Sequence, residues 1–231
     1  MNWEQVVQKV TPYIFKIETP TGHGTGFLCV YNDTKTICGI ATALHVVDYA
    51  NTWQQPIRLT HHSSSEQLFL KEPSHIIITD WKTDSAVILF QKPEFELPSE
   101  LIELLPLGTP LSIGNEVSWL GFPSIEPHTL CFFSGNISAW QDFRKAYLID
   151  GVAINGVSGG PVTYLHSTDG VKIVGIVSAY RANRAAGDTL PGLLYAQDVS
   201  HFHGVIHRLH SLDDANKKKQ EIEQQQQNEK T

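Results

Sequence analysis

The 231-residue chain is predicted to fold as an all-β protein, a sandwich or a barrel. Short apolar runs recur along it with Gly, Pro and Asn turns between them, which is the spacing of antiparallel strands. Little room is left between these runs for the crossover helices that a parallel sheet needs. A hydrophobic content of 41% with 18% charged residues is that of an ordinary globular protein. The length suits one large all-β domain or two small ones.

Charge and cysteine usage remove several classes. A formal net charge of −7 disfavours general binding to nucleic acid or to an anionic membrane and favours solubility. The three cysteines, Cys29, Cys38 and Cys131, exclude a dense disulfide framework, and buried free thiols point to a reducing compartment. Met1 to Gln5 shows no basic stretch leading into an apolar run, so no secretory signal is visible. No apolar segment reaches the roughly 18 residues of a membrane span. A cytoplasmic protein is the expectation.

In chain order, Asn2 to Val10 places Trp3, Val6, Val7 and Val10 on one helical face, a short docking helix that Pro12 stops. Tyr13 to Ile17 begins a strand. Gly22-His23-Gly24-Thr25-Gly26 leads into the apolar run Phe27 to Tyr31, and Asn32 to Lys35 turns the chain back along Thr36 to Ala43. The glycine run precedes a strand and lacks a Lys-Ser/Thr ending, which argues against a phosphate cradle. Residues 48–75 are mixed and polar, with Ser63 to Ser65 read as an exposed turn. His61-His62 is read as solvent-facing, because no Cys or carboxylate lies at ligand spacing. Ile76 to Ile78 and Ser85 to Phe90 are strands, and Lys92 to Pro110, rich in Pro and Glu, links two halves. Further strands are Val117 to Phe122, Thr129 to Ser134 with Gly135 turning, Ile137 to Trp140, Ala146 to Ile149 and Val171 to Ala179. Ser200 caps a helix carrying Phe202, Val205, Ile206 and Leu209 at helical spacing. His203 and His207 lie one turn apart but have no companion carboxylate on that face, so no metal site is expected. From Asp213 the chain is almost without apolar residues: a solvated helix extension, a linker or a tail.

Three residues carry the chemistry. Asn155-Gly156-Val157-Ser158-Gly159-Gly160-Pro161-Val162 sets a hydroxyl at a tight bend between apolar segments, where glycines adopt positive φ and let amides converge on a developing oxyanion. The same residue types also make ordinary turns. A serine becomes a useful nucleophile only with a base and a group that orients the base. His45 stands where the run Ala41 to Ala43 ends, although one histidine among 11 means little alone, and Asp84 immediately precedes a strand apolar on both faces. Their order along the chain, His then Asp then Ser, is that of the double-barrel serine proteases.

At these positions the chain resembles the trypsin-like peptidases, and within them the HtrA (DegP-like) branch. The matching stretches are VVQKVTPYIFKI at 6–17, GTGF at 24–27, ATALHVV at 41–47, DSAVILF at 84–90, SGNISA at 134–139, NGVSGGPV at 155–162 and IVGIVSAY at 173–180. The resemblance implies two packed six-stranded antiparallel β-barrels in a peptidase domain of residues 1–212. The first barrel would span about 11–92, the second about 111–199, with a terminal helix at 200–212 and a polar tail at 213–231. It implies Ser158 as nucleophile, His45 as general base and then acid, and Asp84 as the group that orients the imidazole. The amides of Gly156 and Ser158 would form the oxyanion hole, and Ser178, Ala179 and Tyr180 would offer an edge to an extended polypeptide substrate. Val152, six residues before the serine, stands where the family places its charge-selecting residue, so small or apolar side chains would be preferred. No cofactor and no metal are implied. The family's frequent PDZ domain and the membrane or secretory segment before its first helix are not recognisable here, and further domains or subunits would attach through the tail. The alternative is a catalytically silent protease fold serving as a binding or scaffold module.

Overall fold

A computed structural model describes residues 2–152, 154–185 and 188–228, with the backbone alone for 180–185, 188–191 and 228. It opens with α1 (Trp3–Val10), which starts because Asn2 and Gln5 cap it reciprocally: the Asn2 carboxamide accepts the Gln5 N–H at 3.0 Å and Gln5 accepts the Asn2 N–H at 2.9 Å. Its apolar stripe buries Val6 and Val10. After a 3₁₀ turn at Thr11–Tyr13 come β1 (Ile14–Thr19), β2 (Gly22–Tyr31) and β3 (Ile37–Ala43), then α2 (Leu44–Thr52), then β4 (Ile57–His61), β5 (Gln67–Leu70), β6 (His75–Asp80) and β7 (Ser85–Gln91). The second half contains β8 (Glu116–Gly121), β9 (Cys131–Gln141), β10 (Ala146–Asp150), β11 (Pro161–His166), β12 (Gly170–Ala185) and β13 (Asp188–Asp198). A long helix, α3 (Ser200–Asn228), follows.

The architecture is all-β and built from two halves, as expected, with a correction to the strand count. The second half closes into a six-stranded antiparallel barrel in the order β10-β13-β12-β11-β8-β9. The first is a seven-stranded sheet, β5-β4-β1-β2-β3-β7-β6, whose edge strands β5 and β6 do not pair. The extra strand comes from the polar segment 48–75, where Ser63 to Ser65 turns a hairpin made by β4 and β5. Two further corrections concern local structure. Gly135 does not turn the chain but lies within β9, where a Cβ would stand 2.1 Å from the Asp150 carbonyl of β10, so glycine is required by the close backbone approach. The polar tail takes the helix-extension reading, since α3 runs on through residues 213–228.

Two apolar cores explain why β2 is apolar on both faces. Phe15, Ile17, Leu28, Ile40, Ile57 and Ile88 fill the first half. Phe27, Cys29, Val30, Trp119, Tyr147, Val157 and Phe202 belong to a second cluster, which runs from α1 through the seam between the halves into the barrel. Side chains alternate across a strand, so Phe27 and Leu28 feed different cores. The linker takes part: Ile102, Leu104 and Leu105 are buried, and Leu104 forms a parallel bridge to Ile173 of β12.

Candidate active site

The bend at 155–161 is held on two flanks. On one, the Gly159 N–H donates to Val177 O at 2.7 Å and the Val177 N–H to Gly160 O at 2.9 Å. On the other, the Thr25 N–H of β2 donates to Ser158 O at 2.8 Å. Gly156 and Gly159 adopt φ of +92° and +83°, where a side chain would be strained. Space forbids one as well: a Cβ on Gly156 would meet Phe122 O at 2.3 Å and His23 Nε2 at 2.5 Å, and one on Gly159 would meet Thr42 Oγ1 at 2.1 Å. The Val157 N–H is spent on Ile154 O at 3.1 Å. Among the described residues, the amides of Gly156 and Ser158 donate to no protein acceptor, and the Ser158 hydroxyl makes no hydrogen bond.

His45 lies in the first turn of α2, and Asp84 holds that turn. The residue at the helix N-cap position, Ala43, has no side chain able to cap. Asp84 supplies the cap from the turn before β7: its carbonyl accepts the Leu44 N–H at 2.9 Å and its Oδ1 the His45 N–H at 3.0 Å. The Asp84 backbone reaches this geometry at φ +45°, a region that Asp tolerates better than most residues. Its Oδ2 accepts His45 Nδ1–H at 2.8 Å and the Ser178 hydroxyl at 2.6 Å. With Nδ1 protonated and engaged, the neutral imidazole carries its lone pair on Nε2. The His45 side chain is 49% exposed.

Ser158 is brought to the same place from the other half. A Cβ on Gly24 would touch both Val46, beside His45, at 2.6 Å and Ser158 O at 3.1 Å. A Cβ on Gly159 would lie 2.8 Å from Ala43 N. Thus the bend that carries Ser158 packs against the end of β3 and the start of α2, beside the His45–Asp84 pair, at the seam between the halves.

The expected substrate edge divides. Ser178 is a bulge in the pairing of β12 with β13, is 6% exposed, and turns its hydroxyl to Asp84, so its side chain belongs to the aspartate. Beyond Ile176, β12 leaves its pairing with β11 while Ala179 and Tyr180 still pair with Tyr195 and Leu194 of β13. Ala179 is exposed, and the Tyr180 side chain lies outside the described residues. Val152 is 57% exposed, on the coil leading to the bend.

One histidine expectation changes. His61 is not solvent-facing but 3% exposed; its Nε2–H donates to Pro12 O and its Nδ1 accepts from the Ser64 hydroxyl, both at 2.8 Å. His203 donates through Nε2 to Leu105 O at 2.8 Å. Among the described residues no cluster of three His, Cys, Asp or Glu side chains could hold a metal.

One participant escaped the sequence reading. Thr25, fully buried, accepts the Phe122 N–H at 3.1 Å and donates to Gly156 O at 2.9 Å through a single hydroxyl, so the bend is tied to β2 at two residues. The signal available was a lone threonine between glycines of the GTGF stretch.

A closed six-stranded barrel packed on an antiparallel sheet, with a hydrogen-bonded histidine and aspartate near a glycine-rich bend that carries a serine, defines the chymotrypsin-like fold class. The chain belongs to the family of trypsin-like peptidase domains, whose model matches residues 24–176. It is therefore a protein of the serine-protease type, a hydrolase class whose substrates are polypeptides. Among solved structures, that of Deg5 superposes with a TM-score of 0.63 at 18% identity, covering 86% of this chain and 89% of that one. The inactive Ser343Ala mutant of Rv3671c from M. tuberculosis H37Rv superposes with a TM-score of 0.58 at 18% identity, covering 88% and 89%. No curated protein matches.

Proposed function

We propose that the protein is a serine endopeptidase that cleaves polypeptides through an acyl-enzyme. Ser158 attacks the scissile carbonyl, His45 takes the hydroxyl proton at Nε2 and passes it to the leaving amine, and Asp84 stabilises the imidazolium that forms. The amides of Gly156 and Ser158 stabilise the tetrahedral oxyanion. A substrate strand adds to the edge of β12 at Ala179 and Tyr180. Val152 brings no charge to the residue before the cut, which favours small or apolar side chains. The unpaired thiols of Cys29, Cys38 and Cys131 support a reducing, cytoplasmic setting.

The observation that carries the reading is the bond between His45 Nδ1 and Asp84, because it fixes the tautomer a general base needs. Ser158→Ala should lower turnover of an unfolded protein substrate by about 10⁴-fold or more, with the fold intact by circular dichroism. A fluorophosphonate probe should label the wild type and not the variant. Equal cleavage by both, or no labelling of the wild type, would overturn the assignment and leave a binding or scaffold module.

A further inference from the structure

A polar cavity of about 220 Å³ lies where β1 and β4 of the first half meet the segment that follows β8. Lys16 and Glu18 of β1, Arg58 of β4, and His62, Phe122 and His128 line it. Its charge is not balanced. The Glu18 carboxylate is shared by two cations, accepting Lys16 Nζ at 3.2 Å and Arg58 Nε at 2.9 Å. Burial alone would raise the Glu18 pKa, but the hydrogen bonds from Arg58 and Lys16 outweigh it and hold that carboxyl below its usual range. The carboxylate is therefore ionised, and one positive charge remains in a chain whose formal net charge is −7. The terminal nitrogens of Arg58 donate to no acceptor among the described residues, and its side chain is 45% exposed.

Phe122 joins this cavity to the bend. Its ring meets that of His62 with centroids 5.7 Å apart, and its carbonyl accepts from His23 Nε2 at 3.1 Å while lying 2.3 Å from the point a Gly156 Cβ would occupy. The flanks of the bend set the direction. Val177 and Thr25 hold the bend from different sides, so with the substrate strand laid along Ala179 and Tyr180 as proposed, the chain beyond the cut bond would leave past Thr25, toward His23 and Phe122.

We propose that this cavity is a subsite for an acidic side chain in the polypeptide that follows the cleaved bond, with Arg58 as its main cation. The proposal rests on the peptidase reading above. A carboxylate there replaces water on the free Arg58 nitrogens with charge-assisted hydrogen bonds in a partly enclosed site.

Internally quenched peptides test it, built on a cleaved sequence with identical residues before the cut and Glu, Gln or Lys at the second, third or fourth position after it. At one of these positions the Glu peptide should exceed its Gln counterpart about fivefold to tenfold in kcat/KM, with the Lys peptide lowest. Arg58→Gln should bring the Glu to Gln ratio to within about twofold of one. A ratio near one at every position in the wild type, or a ratio that survives Arg58→Gln, overturns the subsite. Paired peptides with free and amidated C-termini separate a side chain from a terminal carboxylate; a gain that follows the free terminus overturns the side-chain assignment. Calorimetric titration of the same peptides into Ser158→Ala reads recognition without cleavage. Tighter binding of the Glu peptide there upholds the subsite even if the wild type proves inert, and equal affinity for Glu and Gln rejects it.

Discussion

Asp84 serves two structures at once, and its two carboxylate oxygens divide the work. Oδ1 and the main-chain carbonyl cap α2, while Oδ2 receives the imidazole and the Ser178 hydroxyl. Asp84→Asn keeps the carbonyl and one amide oxygen, so the first turn of α2 should survive. The amide cannot accept at both positions, so the imidazole loses its fixed tautomer and kcat should fall by about 10⁴-fold with a near-normal circular dichroism spectrum. Ser178→Ala removes one donor and leaves the imidazole bond, so it should cost far less, on the order of tenfold in kcat. Equal losses in the two variants would mean that the serine, and not the carboxylate charge, governs the imidazole. At this scale the sequence is informative where geometry admits few residue types. Gly156 and Gly159 are legible as bends because nothing else fits at φ near +90°. The bond from the Ser178 hydroxyl to Asp84 is not legible, because the two residues lie 94 apart in sequence and no local pattern encodes their meeting.

Helices are legible in proportion to how locally they are fixed. The cap and apolar stripe of α1 lie within its own residues, and both can be read from the sequence. The start of α2 cannot, because its cap comes from Asp84 and its first residues continue the apolar character of β3. Likewise β4 and β5 are half exposed, with one apolar face set in a polar segment. The root of α3 rests on two histidines: His201 donates to Ile78 O of β6 at 3.2 Å and His203 to Leu105 O of the linker at 2.8 Å. Burial, ahead of all other influences, holds His201 below its ordinary pKa of 6.5, and burial does the same for His62. Below that pH the unfolded chain takes up protons that the folded protein refuses. Their contribution to stability is thus complete above pH 6.5 and is lost as pH falls toward the depressed native values. Asp198, just before α3, has its pKa raised, chiefly by burial, so its contribution has the opposite sign and lies in the window above 3.8. Urea midpoints should therefore fall between pH 7.5 and 5.5, and His201→Gln, which keeps a donor for Ile78 O, should reduce that fall. An unchanged fall in this variant would show that His201 stays accessible to protons in the folded state.

Order along the chain and the matched stretches indicate two halves with chemistry at their seam; what registers one half on the other is not legible, because the central residue is an unremarkable threonine. Thr25 of β2 uses its main-chain N–H on Ser158 O, its carbonyl on the Thr42 hydroxyl, and its own hydroxyl on both the Phe122 N–H and Gly156 O. Three of these four bonds cross the seam, and two of them end on the bend. Thr25→Val keeps the shape and removes only the hydroxyl, leaving a buried N–H and a buried carbonyl unpaired at about 1–3 kcal/mol each. For a domain of this size each kcal/mol moves the thermal midpoint by roughly 2–4 °C, so a drop of about 5–15 °C is expected. The Gly156 carbonyl is also released, and with it the peptide adjoining the amide proposed to meet the oxyanion, so kcat should fall about tenfold or more at temperatures where the variant remains folded. Thr25→Ser retains the hydroxyl and loses a methyl, and should keep both the midpoint and kcat closer to the wild type. If the Ser variant falls as far as the Val variant, packing of the methyl group, not the shared hydroxyl, is what holds the two halves in register.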